Sequence, residues 1–379
     1  MNAHATIQSL NMRCKFIMDI IQSFAPISKN EILIKTKMKL TTLNRDMTTL
    51  LERKIIIESS LADSTGGRKA ALYDVNPVGF YLVGIDVSRT YSQIVVTNLK
   101  FEIIIEKRIQ DDLYDMNSVI LSLPKELSSI LEVGAIDISS IIGIGIGLVH
   151  DVDSHLLKEN MQNEIGVPVS IDNGANTAVI GEYYLGMGKG KHNIAFINCG
   201  VGIRTGVIFS GNLIRTINND KDALAHMIVE QNGNLCECGN HGCLETYVSI
   251  NDLPMKYKQM MLSQTDSSIN DISKDISYLD VCNLAESNNE IAKQIILQAA
   301  FYFGIALTNF IRLLNPQLVI LSGPYIQNSP LFYEETKRIV LKNLSISLDE
   351  IKFSKGGYFE SNSIAMGASA IAMRSLLEK

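Results

Sequence analysis

The sequence predicts an α/β protein in which a small basic helical unit precedes a larger body of two lobes. The chain has 379 residues, more than the about 250–300 residues at which a single hydrophobic core stops growing. Residues 1–78 hold eleven Lys/Arg against seven Asp/Glu, whereas the other 301 residues hold 23 against 33. Strand patterns that end in glycine-rich turns alternate with helical patterns through that acidic remainder. A basic unit on an acidic body indicates a nucleic-acid module attached to a sensor or an enzyme.

Composition and the cysteine pattern exclude several classes of protein. With 46% hydrophobic and 20% charged residues, the chain is neither disordered nor fibrous. No uninterrupted apolar run approaches the about 18 residues of a membrane span, and the first residues lack the basic-then-apolar pattern of a secretory signal. Three of the six cysteines fall within eight residues, which is the spacing of metal ligands rather than of disulfides. These features predict a cytoplasmic protein that does not bind a membrane.

Apolar periodicity predicts three helices and a hairpin in residues 1–78. The first helix has four apolar residues on one face: Ile17, Ile20, Ile21 and Phe24. Ser28 and Glu31 form a capping box at the start of a short second helix, about 29–36. A third helix, about 40–53, has five apolar residues expected to face inward: Leu40, Leu43, Met47, Leu50 and Leu51. Two strands around a Gly-Gly-Arg-Lys tip complete the plan of a winged helix-turn-helix.

The outer face of the third predicted helix suits contact with double-stranded DNA. It carries short polar side chains and one arginine, and the hairpin tip adds two cations; the predicted DNA-binding residues are Thr41, Thr42, Asn44, Arg45, Arg68 and Lys69. Such groups form hydrogen bonds with phosphate oxygens and base edges, whereas a merely solvated face usually carries Glu and Lys. The alternatives are an ordinary solvated face for the helix, and a contact with the following domain for the two hairpin cations.

The acidic remainder repeats a strand and a glycine-rich turn in two halves. The first half has a strand over 80–87, a polar turn that contains Asp86 and Thr90, and a returning strand over 92–97. This is how the actin-like ATPase and sugar-kinase fold begins, in which an aspartate near a Mg-bound phosphate and a glycine-rich turn hold the nucleotide. Residues 194–202 repeat the strand and turn in the second half. The pattern therefore predicts two α/β lobes.

The segment from residue 226 to residue 243 has the spacing of a metal site. Three thiolates and an imidazole lie within eighteen residues and are folded back by glycines; the predicted ligands are His226, Cys236, Cys238 and Cys243. Four such ligands can close a tetrahedral zinc site. His241 is an alternative fourth ligand, but its place inside the tight turn is cramped. The segment predicts one structural zinc per chain, and the alternative is a group of reduced thiols that bind no metal.

These residues resemble the ROK family (repressor, open reading frame, kinase), and the resemblance covers essentially the whole chain. The family's zinc segment is matched by the four predicted ligands and by Gly239, Gly242, Leu244 and Glu245. The N-terminal unit resembles the repressor branch, which includes xylose-type and N-acetylglucosamine-type regulators. The resemblance implies a homodimer, a sugar bound between the lobes and a zinc that shapes the sugar site.

With this resemblance, three domains are expected along the chain. Residues 1–78 form the winged helix-turn-helix and residues 79–188 form the first lobe, which a C-terminal helix over about 363–379 completes. Residues 189–362 form the second lobe and contain the zinc segment.

The sequence departs from the kinases of the family at the catalytic positions. The family's kinases have an aspartate as general base where this chain has Gly174, and a glycine cannot abstract a proton. Asp172 lies two residues earlier, about 6–7 Å away by strand rise, which is too far for a direct substitute. The nucleotide turns also change, because Ser88 and Arg204 stand where the family has glycine and Val201 where it has threonine. We therefore expect no kinase activity.

Three residues match the family's sugar contacts: Asn173, His226 and Glu245. Other contacts are lost, because Ala223 and Ala225 replace the family's Glu and Gly. The alternative role of Asn173 is to cap a turn, and that of Glu245 is to begin a helix after the zinc turn. The effector is a sugar if these residues still bind one, and otherwise another small molecule or none.

The sequence thus favours a transcription regulator, in the form of a repressor of carbohydrate genes that senses a sugar through a degenerate kinase-like body. The first alternative is a sugar kinase with an extra DNA-binding domain, against which Gly174 argues directly. The second is a regulator that has lost its effector. The repressor hypothesis implies operator DNA, a sugar-derived effector and a second copy of the chain as partners.

Overall fold

The computed structural model describes residues 2–61, 71–88, 91–110, 116–149, 153–215, 222–264, 276–344 and 351–378. The chain forms two compact units: the first is Met1–Thr177 with Ile364–Lys379, and the second is Ala178–Ser363. The first unit contains a three-stranded and a five-stranded sheet, and the second contains a five-stranded sheet. Alternating strands and helices make this the α/β class that the sequence predicts.

Four helices and a small sheet form the N-terminal part of the first unit. In chain order the elements are α1 (Ala3–Gln8), α2 (Met12–Phe24), β1 (Ile27–Ser28), α3 (Lys29–Thr36), α4 (Leu40–Glu52), β2 (Ile56–Leu61) and β3 (Ala71–Val75). The strands are antiparallel in the order β1-β3-β2. Side-chain oxygens of Asn2, Asn11 and Ser28 accept from backbone N–H groups at the starts of α1, α2 and α3. These bonds satisfy amides that have no partner within the helix.

Local signals predicted this part well, and burial at helix ends was predicted less well. The capping box of Ser28 and Glu31 is present, and α3 has the predicted bounds. Leu40 was expected to face inward, but it is 50% exposed, and Phe24, which lies on the apolar face predicted for the first helix, is 51% exposed. Both are terminal residues of their helices, and the end of each helix extends beyond the residues that form the core. Phe24 instead lies under the ammonium of Lys35, 3.5 Å from the ring centroid. The hairpin tip with Arg68 and Lys69 lies outside the described residues.

The five-stranded sheet of the first unit combines parallel and antiparallel pairs. Its strands are β4 (Tyr81–Val87), β5 (Tyr91–Asn98), β6 (Ile103–Gln110), β7 (Ile141–Leu148) and β8 (Val169–Asn173). They lie in the order β6-β5-β4-β7-β8, with β4, β7 and β8 parallel. The helices that follow or cover these strands are α5 (Met116–Val133), α6 (Ser154–Ile165), α7 (Gly174–Tyr184) and, from the far end of the chain, α14 (Ser363–Leu377).

Helix α14 lies directly on the backbone of β4 and β7. A Cβ atom on Gly84 would overlap the carbonyl oxygen of Ala365, and a Cβ atom on Gly145 would overlap that of Ala368. No side chain therefore separates the helix from the two central strands at these points. The close approach explains why Gly84 of β4 and Gly145 of β7 are glycines.

One hydrophobic core joins the N-terminal helices to this sheet and to α14. It contains residues from α1, α2, α4, the central strands and the last helix, among them Ile7, Ile17, Ile21, Leu43, Leu82, Ile142, Met373 and Leu376. Polar contacts add to it: Gln22 Nε2 donates to the carbonyl oxygen of Leu99 at 2.7 Å. The boundary expected after residue 78 therefore lies inside one compact unit.

The second unit is a sheet packed against a long central helix. Its strands are β9 (Ile194–Cys199), β10 (Ile203–Phe209), β11 (Asn212–Ile214), β12 (Leu318–Ser322) and β13 (Lys352–Lys355), in the order β11-β10-β9-β12-β13. Its helices are α8 (Glu245–Val248), α9 (Leu253–Gln264), α10 (Tyr278–Glu286), α11 (Glu290–Leu314), α12 (Pro324–Asn328) and α13 (Pro330–Leu344). The core between them contains Ile197, Phe303 and Leu321, all fully buried.

Helix α11 corrects one expectation. The sequence has no uninterrupted apolar run of membrane-span length and was expected to contain no such segment, yet Glu290–Leu314 is 25 residues long and apolar enough on average to cross a membrane by length and composition. Twelve of its residues are buried, including Ile296, Phe303 and Leu307. Its apolar character is that of a helix surrounded by the core of a folded unit.

Candidate functional site

Helix α4 presents one polar face and buries the other. Leu43, Met47 and Leu50 are buried at helical spacing. The predicted DNA contacts lie on the opposite side: Thr41, Asn44 and Arg45 are exposed, and Thr42 is half-buried. The structure thus brings the four α4 residues onto one accessible surface, as recognition of a DNA groove requires.

Asp46 fixes this helix to α2, a role that the sequence alone did not predict. The carboxylate is 2% exposed. It accepts from Arg13 Nε at 2.7 Å, and its other oxygen lies 3.5 Å from Arg45 Nε. Asp46 therefore links Arg13 of α2 to Arg45, whose side chain remains 67% exposed. The available signal was a charged residue placed between the apolar positions Leu43 and Met47.

The four predicted metal ligands lie together in the second unit. The ligand atoms of His226, Cys236, Cys238 and Cys243 are all within 4.8 Å of one another. Cys236 Sγ is 3.5 Å from His226 Nδ1, and Cys238 Sγ is 3.6 Å from Cys243 Sγ. Ligands around a tetrahedral zinc with bonds of about 2.0–2.3 Å are separated by about 3.3–3.8 Å. His241, the alternative ligand, lies outside the cluster with its Nδ1 3.1 Å from the carbonyl oxygen of Gly233.

The turn that carries the cysteines is held by its backbone. Cys236 N donates to the carbonyl oxygen of Asn240 at 2.8 Å. Gly242 has φ +77°, and a Cβ atom there would overlap the carbonyl oxygen of Glu230, so only glycine fits. Burial, followed by the neighbouring thiols, raises the pKa of the Cys243 thiol to about 12. A bound metal ion would favour the thiolate, with release of the proton.

Asp222 ties the start of the metal segment to the sheet, and it was also missed from sequence. Its carboxylate accepts from the backbone N–H and the hydroxyl of Thr205 on β10, and from Leu224 N at 3.0 Å and Ala225 N at 3.2 Å. The pKa of the Asp222 carboxyl is raised, because the effect of burial is larger than the opposing effect of its hydrogen bonds. A helix-type cap at Asp222, one turn before His226, was the signal in the sequence.

Glu245 faces the glycine-rich turn that follows β9. Its Oε2 accepts from Ile203 N at 3.1 Å and lies 3.8 Å from Arg204 Nη1. A Cβ atom on Gly202 would lie 3.1 Å from the same oxygen. Both charged side chains are mostly buried, with 28% exposure for Glu245 and 21% for Arg204. Arg204 thus places a cation against the carboxylate that matches the family's sugar contact, a pairing that sequence spacing did not reveal.

Asn173 ends β8 at the start of α7. Its Oδ1 accepts from Ala175 N at 2.8 Å, which is the turn-capping role considered as the alternative. Asp172 is also engaged, because its Oδ1 accepts from Asn173 N at 2.8 Å and from Asn176 Nδ2 at 2.9 Å. A Cβ atom on Gly174 would lie 3.0 Å from Val149 Cγ2. Asn173 belongs to the first unit, whereas His226 and Glu245 belong to the second.

Asp86, at the end of β4, is sealed from solvent. It is 1% exposed, and Tyr91 donates its hydroxyl proton to Oδ2 at 3.3 Å. Its Oδ1 has no hydrogen-bond partner among the residues that the structure describes. Burial raises the pKa of the Asp86 carboxyl to about 7. A carboxyl that is substantially protonated at neutral pH is a poor ligand for a hard cation. Thr90 lies outside the described residues.

Three comparisons with known proteins agree on the fold. A family model described as "ROK family" matches residues 82–375. The xylose repressor of Bacillus subtilis is 28% identical over 383 aligned residues, which cover 96% of this chain and 95% of the repressor. A ROK family transcriptional regulator, described as a homologue of the Escherichia coli MLC protein, superposes with a TM-score of 0.80 at 20% identity and covers 99% of this chain and 97% of its own. A ROK hexokinase from Thermus thermophilus has a TM-score of 0.66 at 19% identity and covers 78% of this chain and all of its own.

Proposed function

The chain belongs to the ROK family, and on this basis we propose that it is a DNA-binding transcription regulator, a repressor of carbohydrate genes, rather than a sugar kinase. The exposed polar face of α4 supports this most directly, because it stands on a basic N-terminal unit. The Thermus thermophilus hexokinase, taken over its whole length, covers 78% of this chain. The xylose repressor, by contrast, aligns over 96% of the chain. A protein with this function acts in the cytoplasm.

Residues 1–78 act as a winged helix-turn-helix in this proposal. Helix α4 enters the major groove, where Thr41, Thr42, Asn44 and Arg45 contact bases and phosphates. Arg68 and Lys69 contact the backbone or the minor groove from the hairpin tip. A homodimer places two such units on a pseudo-palindromic operator with half-sites a whole number of helical turns apart.

Binding-site selection with the full chain tests this function. We expect enrichment of a two-fold symmetric sequence, and we expect Arg45→Ala to weaken operator binding by about 1–3 kcal/mol if Arg45 reads a base edge. Lys342→Ala, at an exposed residue of α13, is the matched control and should leave the affinity unchanged. Selection without enrichment of any sequence would contradict the proposal.

The kinase-like body senses a sugar in this proposal. Asn173, His226 and Glu245 supply the polar contacts, and the Arg204 guanidinium occupies one side of Glu245. A sugar that binds the native state raises the melting temperature, and the increase grows with the logarithm of the sugar concentration once that concentration exceeds the Kd. Thermal-shift measurements with D-xylose, D-glucose, N-acetylglucosamine and their 6- or 5-phosphates identify the effector class, and the same sugars are then added to operator-binding assays.

Catalysis is absent in this proposal for three separate reasons. Gly174 provides no base, and Asp172 is committed to Asn173 and Asn176. Asp86 is buried with a raised pKa of about 7, so at neutral pH it is only partly ionised and presents less of the negative charge that a Mg-bound phosphate needs. Phosphorylation of a common hexose or pentose by the wild-type chain at about 1 s⁻¹ or faster would favour the kinase instead.

The metal in this proposal is one structural zinc per chain. His226, Cys236, Cys238 and Cys243 would hold it, and four protein ligands leave no position for a water molecule or substrate. When bound, the zinc would stabilise the turn that leads into Glu245.

A further inference from the structure

Helix α14 extends from the turn that contains Asn173 to the N-terminal helices. At its first residues, the Ile364 side chain lies against the turn: a Cβ atom on Gly147 would be 2.5 Å from Ile364 Cγ2, and one on Gly174 would be 3.3 Å from Ile364 Cδ1. At its last turn, Met373 and Leu376 are buried in the core that also contains α2 and α4. Fifteen residues at 1.5 Å each make the helix about 22 Å long.

Between these ends, the helix has no room to move independently of the sheet. Its backbone rests on the backbone of Gly84 and Gly145, so a displacement at one end is transmitted through direct contact. Closely packed protein interiors shift as units and do not deform continuously.

A buried lysine holds α2 to the last turn of α14. Lys15 is 3% exposed, and its Nζ donates to the carbonyl oxygen of Leu376 at 2.6 Å. Carbonyl groups of the last helical turn have no partner within the helix, and a cation is favourable there. Burial raises the pKa of the Asp19 carboxyl, one turn further along α2, and the nearby Arg374 guanidinium of α14 lowers it. Asp19 therefore lies on the same side of α2 as Lys15.

The choice of lysine at this position needs an explanation. Burial of an ammonium is unfavourable, and the pKa of Lys15 is lowered by it. An apolar side chain of the same length would fill the space without that cost. A directional bond, in contrast, fixes the register of α2 against α14. From α2 the contact continues to α4, because Arg13 bonds to Asp46 next to Arg45.

We propose that Lys15 is a positioning residue that couples the turn at Asn173 to the DNA-binding face of α4 through helix α14. This inference rests on the proposed function, because it assumes a sugar that binds near Asn173 and an operator that binds α4. Lys15 touches neither ligand. It determines whether a change at the first turn of α14 reaches the N-terminal helices.

The test measures the change in operator Kd that a saturating sugar produces in full-length chains. D-Xylose, D-glucose and N-acetylglucosamine are the probes. The variants are Lys15→Met, which removes the donor at nearly constant volume, and Lys15→Arg, which keeps a donor; Lys125→Met, at an exposed residue of α5, is the control. We expect the sugar response of Lys15→Met to fall at least threefold while its sugar-free Kd stays within twofold of wild type. Lys15→Arg should retain most of the response. A full response in Lys15→Met would overturn the proposal.

A second arm needs no sugar and separates this inference from the proposed function. The substitution Gly174→Val crowds the Ile364 side chain. In the otherwise wild-type chain, which keeps Lys15, it should change the sugar-free operator Kd by at least threefold. In the Lys15→Met background the same substitution should have less than a third of that effect. If no sugar acts on the wild type, the sensing part of the proposed function fails. The comparison of Gly174→Val in the two backgrounds, a double-mutant cycle, then tests the coupling by itself. Equal effects of Gly174→Val in both backgrounds would reject it.

Discussion

Two glycines of β7 provide a controlled test of how closely α14 approaches the sheet. Gly143 and Gly145 are two residues apart, so that a Cβ atom added to either would lie on the same face of the strand. A Cβ atom on Gly143 would lie 3.6 Å from its nearest neighbours, the Cβ of Ala372 and Cδ1 of Leu376, which is ordinary contact. A Cβ atom on Gly145 would overlap the carbonyl oxygen of Ala368. Alanine at that position therefore requires the helix or the strand to retreat by about 1.5 Å.

The expected effects of the two substitutions have opposite signs. Overpacking of this kind costs about 1–3 kcal/mol, and more where backbone must move, so Gly145→Ala should lower the free energy of unfolding of the first unit by about 3 kcal/mol. At about 2–4 °C per kcal/mol for a unit of this size, the melting temperature should fall by about 6–12 °C. Gly143→Ala should instead raise the free energy of unfolding by about 0.4–1 kcal/mol, because it restricts the unfolded chain.

The assay must resolve the two units separately. The chain contains no tryptophan, so urea denaturation is followed by circular dichroism and by hydrogen exchange of the amides of β4 and β7. Unfolding of more than one unit need not be two-state, and the exchange data assign the loss to the first unit. Gly145→Ala with wild-type stability, or equal destabilisation by both substitutions, would refute the close approach of α14.

Three further predictions concern the candidate sites. Cys238→Ser should reduce zinc content and thermal stability together, since the free energy of metal binding is free energy of folding; elemental analysis that finds no zinc in wild-type protein purified without chelator would contradict this. Gly174→Asp alone should remain inactive as a kinase, because the nucleotide turns are also altered; coupled-enzyme assays with ATP and hexoses measure it. Asp86 has a folded pKa of about 7 and an unfolded pKa of about 3.9, so the folded state binds more protons between these values and stability falls as pH rises from about 4 to about 7. Asp86→Asn should remove this fall, which is about 4 kcal/mol at most, and a stability difference between variant and wild type that does not depend on pH would contradict it.

Chemistry that is local in sequence could be predicted closely. The capping box of Ser28 and Glu31 acts over three residues, and α3 begins where it predicts. The metal segment is also local, because its glycines allow the tight turn that brings Cys236, Cys238 and Cys243 together with His226. Such features depend on residues that are near one another in the sequence and therefore stay near one another when the chain folds.

Features that depend on distant partners could not be predicted. Asp46 acquires its role only because α2 brings Arg13 to it across 33 residues of chain. Arg204 and Glu245 are 41 residues apart, and their pairing requires β10 and α8 to meet. Helix α1 was missed because its six residues are too few for a periodic signal. The predicted burial of Leu40 is wrong for a related reason: Leu40 is the first residue of its helix, and no other part of the core covers it.

The shared core of the N-terminal helices and α14 has a consequence for the order of synthesis. Helices α1 to α4 leave the ribosome first, and residues 363–377 follow more than 300 residues later. At about 5–20 residues per second, that interval is roughly 15–70 s. During this time the N-terminal helices lack Met373, Leu376 and the carbonyl group that Lys15 binds. A chain that is interrupted before residue 363 therefore never completes the core beneath the proposed DNA-binding surface, and we expect such fragments to compete poorly for the proposed operator.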